Sequence, residues 1–134
     1  MFESTAIVSH FNPKERAVVF QGDCMDLLRE IPDESIQLVV TSPPYNIGKE
    51  YEKRLHLDHY VVQQQRVIAE CARVLKRSGS ICWQVGNYVE DGSIVPLDTV
   101  LYPVFSQLGL KMRNRIIWHF VDHKIFQVLP AHTI

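Results

Sequence analysis

Long apolar runs are missing from this chain. No stretch approaches the roughly 18 consecutive apolar residues of a membrane helix, and no basic start leads into an apolar segment at the N-terminus. A cytoplasmic protein without a membrane span is expected. Charge of one sign is missing too: 14 Lys and Arg stand against 15 Asp and Glu, a formal charge of −1, so no global field draws the chain to a polyanion. Cysteine is scarce. Cys24, Cys71 and Cys82 show no metal-like spacing and three thiols cannot all pair, which points to reduced thiols in a cytosolic setting, with Cys71 and Cys82 as core fillers. No repeat, low-complexity tract or linker breaks the 134 residues, so a single domain over 1–134 is expected.

Hydrophobic periodicity predicts alternating strands and helices. Residues 17–20 read as a short buried strand, 24–30 as a brief helix and 36–41 as a second buried strand. Asp58 is placed to cap a helix on which Val61, Ile68, Ala72 and Leu75 share a face. Lys76 and Arg77 suit its C-terminal dipole, and Gly79 its left-handed stop. Residues 80–85 read as a third strand and 86–93 as a loop. Pro96 then opens a helix striped by Leu97, Val100, Leu101, Val104 and Leu108, ended by Gly109, with a kink or late start at Pro103. Alternation over 111–120 predicts a last strand with one wetter face. This order is that of an α/β fold with a largely parallel sheet.

Thr41-Ser42-Pro43-Pro44-Tyr45 follows the second predicted strand directly. Each Pro fixes its own φ near about −65°, and Pro44 pushes Pro43 out of the α region, so the turn is rigid and extended. Neither Pro has an N–H, which leaves nearby carbonyls free to accept from a ligand. Such a turn can hold an exocyclic amine by hydroxyl and carbonyl acceptors while Tyr45 stacks on the base, the two contacts a flipped nucleobase needs. An ordinary βα turn punctuated by Pro is the plainer alternative. Lys49, Lys53 and Arg54 after the turn, and Lys111, Arg113 and Arg115 further on, suit either phosphates or a solvated face. His56 and His59 lie three apart without a third ligand nearby, so no metal is expected.

Taken together, Phe20-Gln21-Gly22-Asp23-Cys24-Met25-Asp26-Leu27-Leu28 and the stretch from Ile31 through Ser42-Pro43-Pro44-Tyr45-Asn46-Ile47-Gly48 closely resemble the amino-methyltransferases of DNA. The resemblance continues through Val74-Leu75-Lys76-Arg77-Ser78-Gly79-Ser80-Ile81 and Leu110-Lys111-Met112-Arg113-Asn114-Arg115-Ile116-Ile117-Trp118. It covers residues 17–119 and leaves the tail 120–134 unmatched. It implies a Rossmann-like S-adenosylmethionine-dependent methyltransferase fold, DNA as partner, and methyl transfer to N6 of adenine or N4 of cytosine.

The resemblance also implies site roles. Ser42, Pro43, Pro44 and Tyr45 form the catalytic turn, in which the Ser42 side chain and the Pro43 carbonyl accept from the amine and Tyr45 stacks on the flipped base. Asp23 is placed to contact the cofactor's adenine, or simply to cap the helix at Cys24. Asn46 and Lys49 are expected at the DNA, Asn46 alternatively satisfying a turn. The chemistry needs no enzyme nucleophile: the amine lone pair is delocalised into the ring, so the protein must orient it and draw it toward tetrahedral geometry. C5-cytosine methylation is excluded, because it needs a Cys nucleophile in a Pro-Cys pair and none occurs. Ser42 stands where many relatives carry Asp, a stronger acceptor. Ser at this position looks more like the N4-cytosine enzymes, and adenine stays open.

One family hallmark is absent. The family binds its cofactor with a Phe-x-Gly-x-Gly turn, whereas the glycines here stand at 22, 48, 79, 86, 92 and 109, no two of them two apart. Relatives with the catalytic turn first carry the glycine turn near their C-terminus. The resemblance thus implies the N-terminal portion of a longer methyltransferase and an incomplete fold, with the glycine turn supplied by a missing half or a second polypeptide. Two readings stand beside each other: a DNA amino-methyltransferase that is inactive alone, or a non-catalytic remnant that keeps a base-binding module.

Overall fold

The computed structural model describes residues 10–46 and 54–118. Helix α1 (Cys24–Glu30) leads to strand β1 (Ile36–Thr41), and helix α2 (Leu57–Val74) crosses over to strand β2 (Leu75–Trp83). A hairpin of β3 (Asn87–Glu90) and β4 (Ser93–Pro96) precedes helix α3 (Leu97–Gln107). β1 and β2 pair in parallel, with Leu38 opposite Ser80, Val40 opposite Cys82 and Thr41 opposite Trp83. This is the α/β arrangement expected, with a short parallel sheet. Among the described residues no helix is long and apolar enough to cross a membrane.

α2 forms because its apolar stripe finds a partner on each side. Ile68, Cys71 and Val74 are buried on it, as is Tyr60 one end up, and full burial of an Ile or Val stabilises by about 1.5–3 kcal/mol. Tyr60 joins Tyr88, Leu97 and Leu101 in a cluster against which Trp83 and Phe105 pack, those two rings edge to face at 5.7 Å. At the other end Arg73 ties the elements together. Its guanidinium donates to the carbonyls of Leu28 (2.7 Å) and Ile31 (3.0 Å) and pairs with Glu70 (2.8 Å), so the C-terminal end of α1 is fixed at the amino edge of the sheet. Hydrogen bonding to Glu70 and then Asp33 raises the Arg73 pKa further above its ordinary value.

Several expectations are corrected. Residues 17–20 and 110–118 form no strand; a strand exists only through a ladder partner, and none of the described segments forms a ladder with either. β1 is not buried on both faces: Leu38 is 57 % and Val40 68 % exposed, and opposite them Ser80 and Cys82 are exposed too. Cys82 is therefore no core filler, whereas Cys71 is. α2 stops at Val74 rather than at Gly79 and carries no side-chain cap, Asp58 lying inside its first turn. The chain enters β2 at once, Leu75 already pairing with Ile36, and Gly79 passes close to β1, where an added Cβ would lie 2.9 Å from the Gln37 carbonyl oxygen. Residues 86–93 are not a loop but carry most of a hairpin turned at Asp91 and Gly92, both at positive φ. Pro103 lies inside α3 without ending it.

Candidate functional site

The parallel ladder delivers the Pro-Pro turn to the carboxyl edge of the sheet. Thr41 is the last residue of β1, and its carbonyl accepts from the Gln84 N–H at 2.9 Å, so Ser42 leaves the sheet from a fixed point. Ligands of α/β sheets bind beyond this edge. Ser42 and Pro44 are exposed, Pro43 and Tyr45 half-buried. The turn folds back so that Ser42 Oγ and Tyr45 Oη lie 2.6 Å apart, within hydrogen-bonding distance. The Tyr45 ring backs onto Gly86, where an added Cβ would stand 3.2 Å from the ring. The Gly86 carbonyl in turn accepts from the N–H of Leu97, the buried first residue of α3, at 3.3 Å.

Asn46 turns inward. It is 3 % exposed, sits at φ +60°, and exchanges two hydrogen bonds with the Leu55 backbone. Its buried and bonded carboxamide fits the alternative of a turn-satisfying role. Lys49 and Lys53 lie outside the described residues. Arg54 also faces the protein, its guanidinium 4.8 Å from the centre of the buried Tyr88 ring and donating to the Val89 carbonyl. Tyr88 Oη donates to Glu90 at 3.0 Å. These residues with Leu55, His56 and Asp91 line an open cleft of about 380 Å³. Of the second basic group, Arg115 pairs with Asp98 at 2.6 Å, while Lys111 and Arg113 are exposed.

Asp23 is the cap of α1, accepting from the Met25 N–H at 2.9 Å. Asp23 stands at the start of α1, the end opposite the one that Arg73 holds. The residues fit S-adenosylmethionine only in part. Asp23 offers a carboxylate beyond a helix start, but Oδ1 is committed to the cap, and the sequence has no glycine pair through which backbone N–H groups approach a ligand.

Reading the sequence missed Gly86, Leu55 and the Arg54–Tyr88 pair. Asp91-Gly92 flanked by alternating residues was a hairpin signal that would have brought Gly86 and Tyr88 to the site; the Asn46–Leu55 contact left no signal in the residue pattern.

The sequence profile of a DNA methylase family matches residues 36–127. A type II methyltransferase of Bacillus subtilis, M.BglII, is 50 % identical over 113 residues, 84 % of this chain and 31 % of its own length. The DNA adenine methyltransferase YhdJ of Escherichia coli is 32 % identical over 79 % of this chain and 34 % of its own. Among solved structures, the PvuII DNA methyltransferase (cytosine-N4-specific) is similar with a TM-score of 0.54 and 29 % identity, over 67 % of this chain and 33 % of that one. The chain thus spans about a third of the length of these relatives.

Proposed function

Because the chain belongs to this DNA methylase family, we propose that it forms the target-amine side of a site-specific DNA methyltransferase of the restriction–modification type, acting on N4 of cytosine or N6 of adenine. The observation that carries the reading is the Ser42–Tyr45 pair, held together at the carboxyl edge of a parallel ladder. A base turned out of the duplex meets there a hydroxyl acceptor, a Pro43 carbonyl without a competing N–H on Pro44, and an aromatic face. Ser42 and the Pro43 carbonyl orient the amine by accepting hydrogen bonds from its N–H groups, and Tyr45 holds the ring by stacking. Fixing the amine in this way lowers the entropy cost of attack and favours the tetrahedral nitrogen.

S-adenosylmethionine supplies the methyl group when bound. Since the described residues fit it only in part, its glycine turn comes from further sequence or from a second polypeptide. The missing glycine pair also favours the second reading, a base-binding module without turnover.

The test is calorimetry with S-adenosylmethionine and a tritiated-methyl assay on mixed-sequence DNA. Both are run on the chain alone and on the chain mixed with the glycine-turn portion of the Bacillus subtilis relative. Weak or no cofactor binding alone, and transfer on complementation that Ser42→Ala abolishes, are expected. Transfer indifferent to Ser42 would remove the site from the reading. Micromolar cofactor binding and turnover by the monomeric chain would show that another backbone element replaces the glycine turn.

A further inference from the structure

We infer that the Tyr45 hydroxyl is a positioning group for Ser42: it accepts the Ser42 hydrogen bond, leaving the Ser42 lone pairs to the target amine, and Gly86 makes the room that lets the ring reach this place. The inference rests on the functional reading above and adds to it a role for the phenol oxygen, where stacking uses only the ring.

The geometry argues as follows. A serine hydroxyl has one proton and two lone pairs. An amine N–H presented to Ser42 needs a lone pair, so the Ser42 proton must point elsewhere, and an acceptor in reach among the described residues is Tyr45 Oη at 2.6 Å. That distance is at the short end for O–H···O bonds. With the bond reversed, Tyr45 would occupy one of the two Ser42 lone pairs and leave a single one for the amine. Amine binding therefore favours the arrangement in which Ser42 donates to Tyr45. The phenol can do this only if its ring is held. Gly86 carries no Cβ, and one there would come within 3.2 Å of the ring, tighter than ordinary contact. Its carbonyl is fixed in turn by the N–H of Leu97, so the ring backs onto a stationary surface.

Fluorescence anisotropy on the whole chain tests this with two pairs of duplex probes, each bearing one unpaired base opposite an abasic site. One pair compares cytosine with 2-pyrimidinone, the other adenine with purine; the second base of each pair lacks the exocyclic amine. The wild type should prefer the amine-bearing base of at least one pair, and Ser42→Ala should abolish that preference. Tyr45→Phe should reduce the preference by roughly three- to tenfold, the worth of one hydrogen bond, with binding of the amine-free probe unchanged. Gly86→Ala should reduce it similarly by moving the ring, and Ser42→Ala/Tyr45→Phe should match Ser42→Ala alone. Full preference in Tyr45→Phe, additive losses in the double variant, or equal loss of both probes, the mark of a merely structural role, would each overturn the inference. A wild type without preference for the amine in either pair would instead overturn the functional reading, and the inference with it.

Discussion

Asn46 and Leu55 are joined as two strand residues would be, by one side chain. Asn46 Nδ2 donates to the Leu55 carbonyl at 2.8 Å, and the Leu55 N–H donates to Asn46 Oδ1 at 2.6 Å. The carboxamide thus acts as a surrogate peptide that ties the residue after Tyr45 to the approach of α2. Asparagine suits the place twice over, since it also tolerates the left-handed backbone at φ +60°. Asn46→Ala should lower stability by about 2–4 kcal/mol, two unpaired backbone groups plus left-handed strain. Asn46→Gly, which relieves the strain, should lose less. Urea unfolding with hydrogen exchange at the Leu55 amide checks this; a Leu55 amide as protected in Asn46→Ala as in the wild type would refute the clamp.

Two substitutions in the turn should separate binding from chemistry once methyl transfer is obtained by complementation. Tyr45→Ala should weaken binding of the target strand by about 1–3 kcal/mol, the worth of one stacked base. Ser42→Ala should slow the chemical step more than it weakens DNA binding, because its acceptor matters most as the nitrogen becomes tetrahedral. Single-turnover rates and DNA titrations on both variants decide it, and wild-type rates in both would exclude this turn as the site.

How far the sequence disclosed this fold depended on whether an element is made by its own residues or by its neighbours. α2 and α3 were legible from the stripes Val61, Ile68, Ala72 and Leu97, Leu101, Val104, which carry their own period. β1 was legible as a strand but not in its exposure, because the bareness of Leu38 and Val40 depends on what lies above them. Residues 17–20 and 111–118 have strand-like composition without a ladder partner among the described residues, and composition alone makes no strand. At the site, Ser42-Pro43-Pro44-Tyr45 stood out because two prolines fix the backbone locally. The inward turn of Asn46 and the closeness of Gly86 to Tyr45 arise from tertiary contacts that no short window contains.

Thiol labelling should rank the cysteines by environment. Burial, with the charges of Cys24 and Glu70 adding to it, pushes the Cys71 thiol from 9.0 up to about 11. Burial and then the Asp23 charge also raise Cys24, which is exposed, and Cys82 is exposed on β2. In iodoacetamide at pH 8 the folded chain should react first at Cys82 and last at Cys71. Because the raised pKa favours the protonated thiol in the folded state, the stability Cys71 contributes is fully present below pH 9.0 and is lost as pH rises toward about 11. Peptide mapping of labelled chain and urea melts between those pH values check both statements; fast labelling of Cys71 at pH 8 would contradict its burial.

The last prediction concerns the bare face of the sheet. Leu38 and Val40 point to one side of β1, 57 % and 68 % exposed, while the residues between and beside them, Val39, Ile81 and Trp83, are half-buried on the other side with α3 packed near Trp83. A two-stranded sheet with an apolar face in water invites pairing with another copy. The chain alone should therefore scatter light and elute as mixed oligomers. Leu38→Lys and Val40→Lys, singly or together, should shift it toward the monomer with unfolding free energy changed by less than about 0.5 kcal/mol, as for surface substitutions generally. Val39→Lys, on the half-buried side, should destabilise instead. Adding the glycine-turn portion of a relative should suppress self-association of the wild type and should be resisted by the Leu38→Lys/Val40→Lys pair, because both partners would compete for one face. Light scattering, gel filtration and urea unfolding on the wild type and the four variants give the answer. A wild type that is monodisperse at tens of micromolar would show that this face is covered within the chain itself.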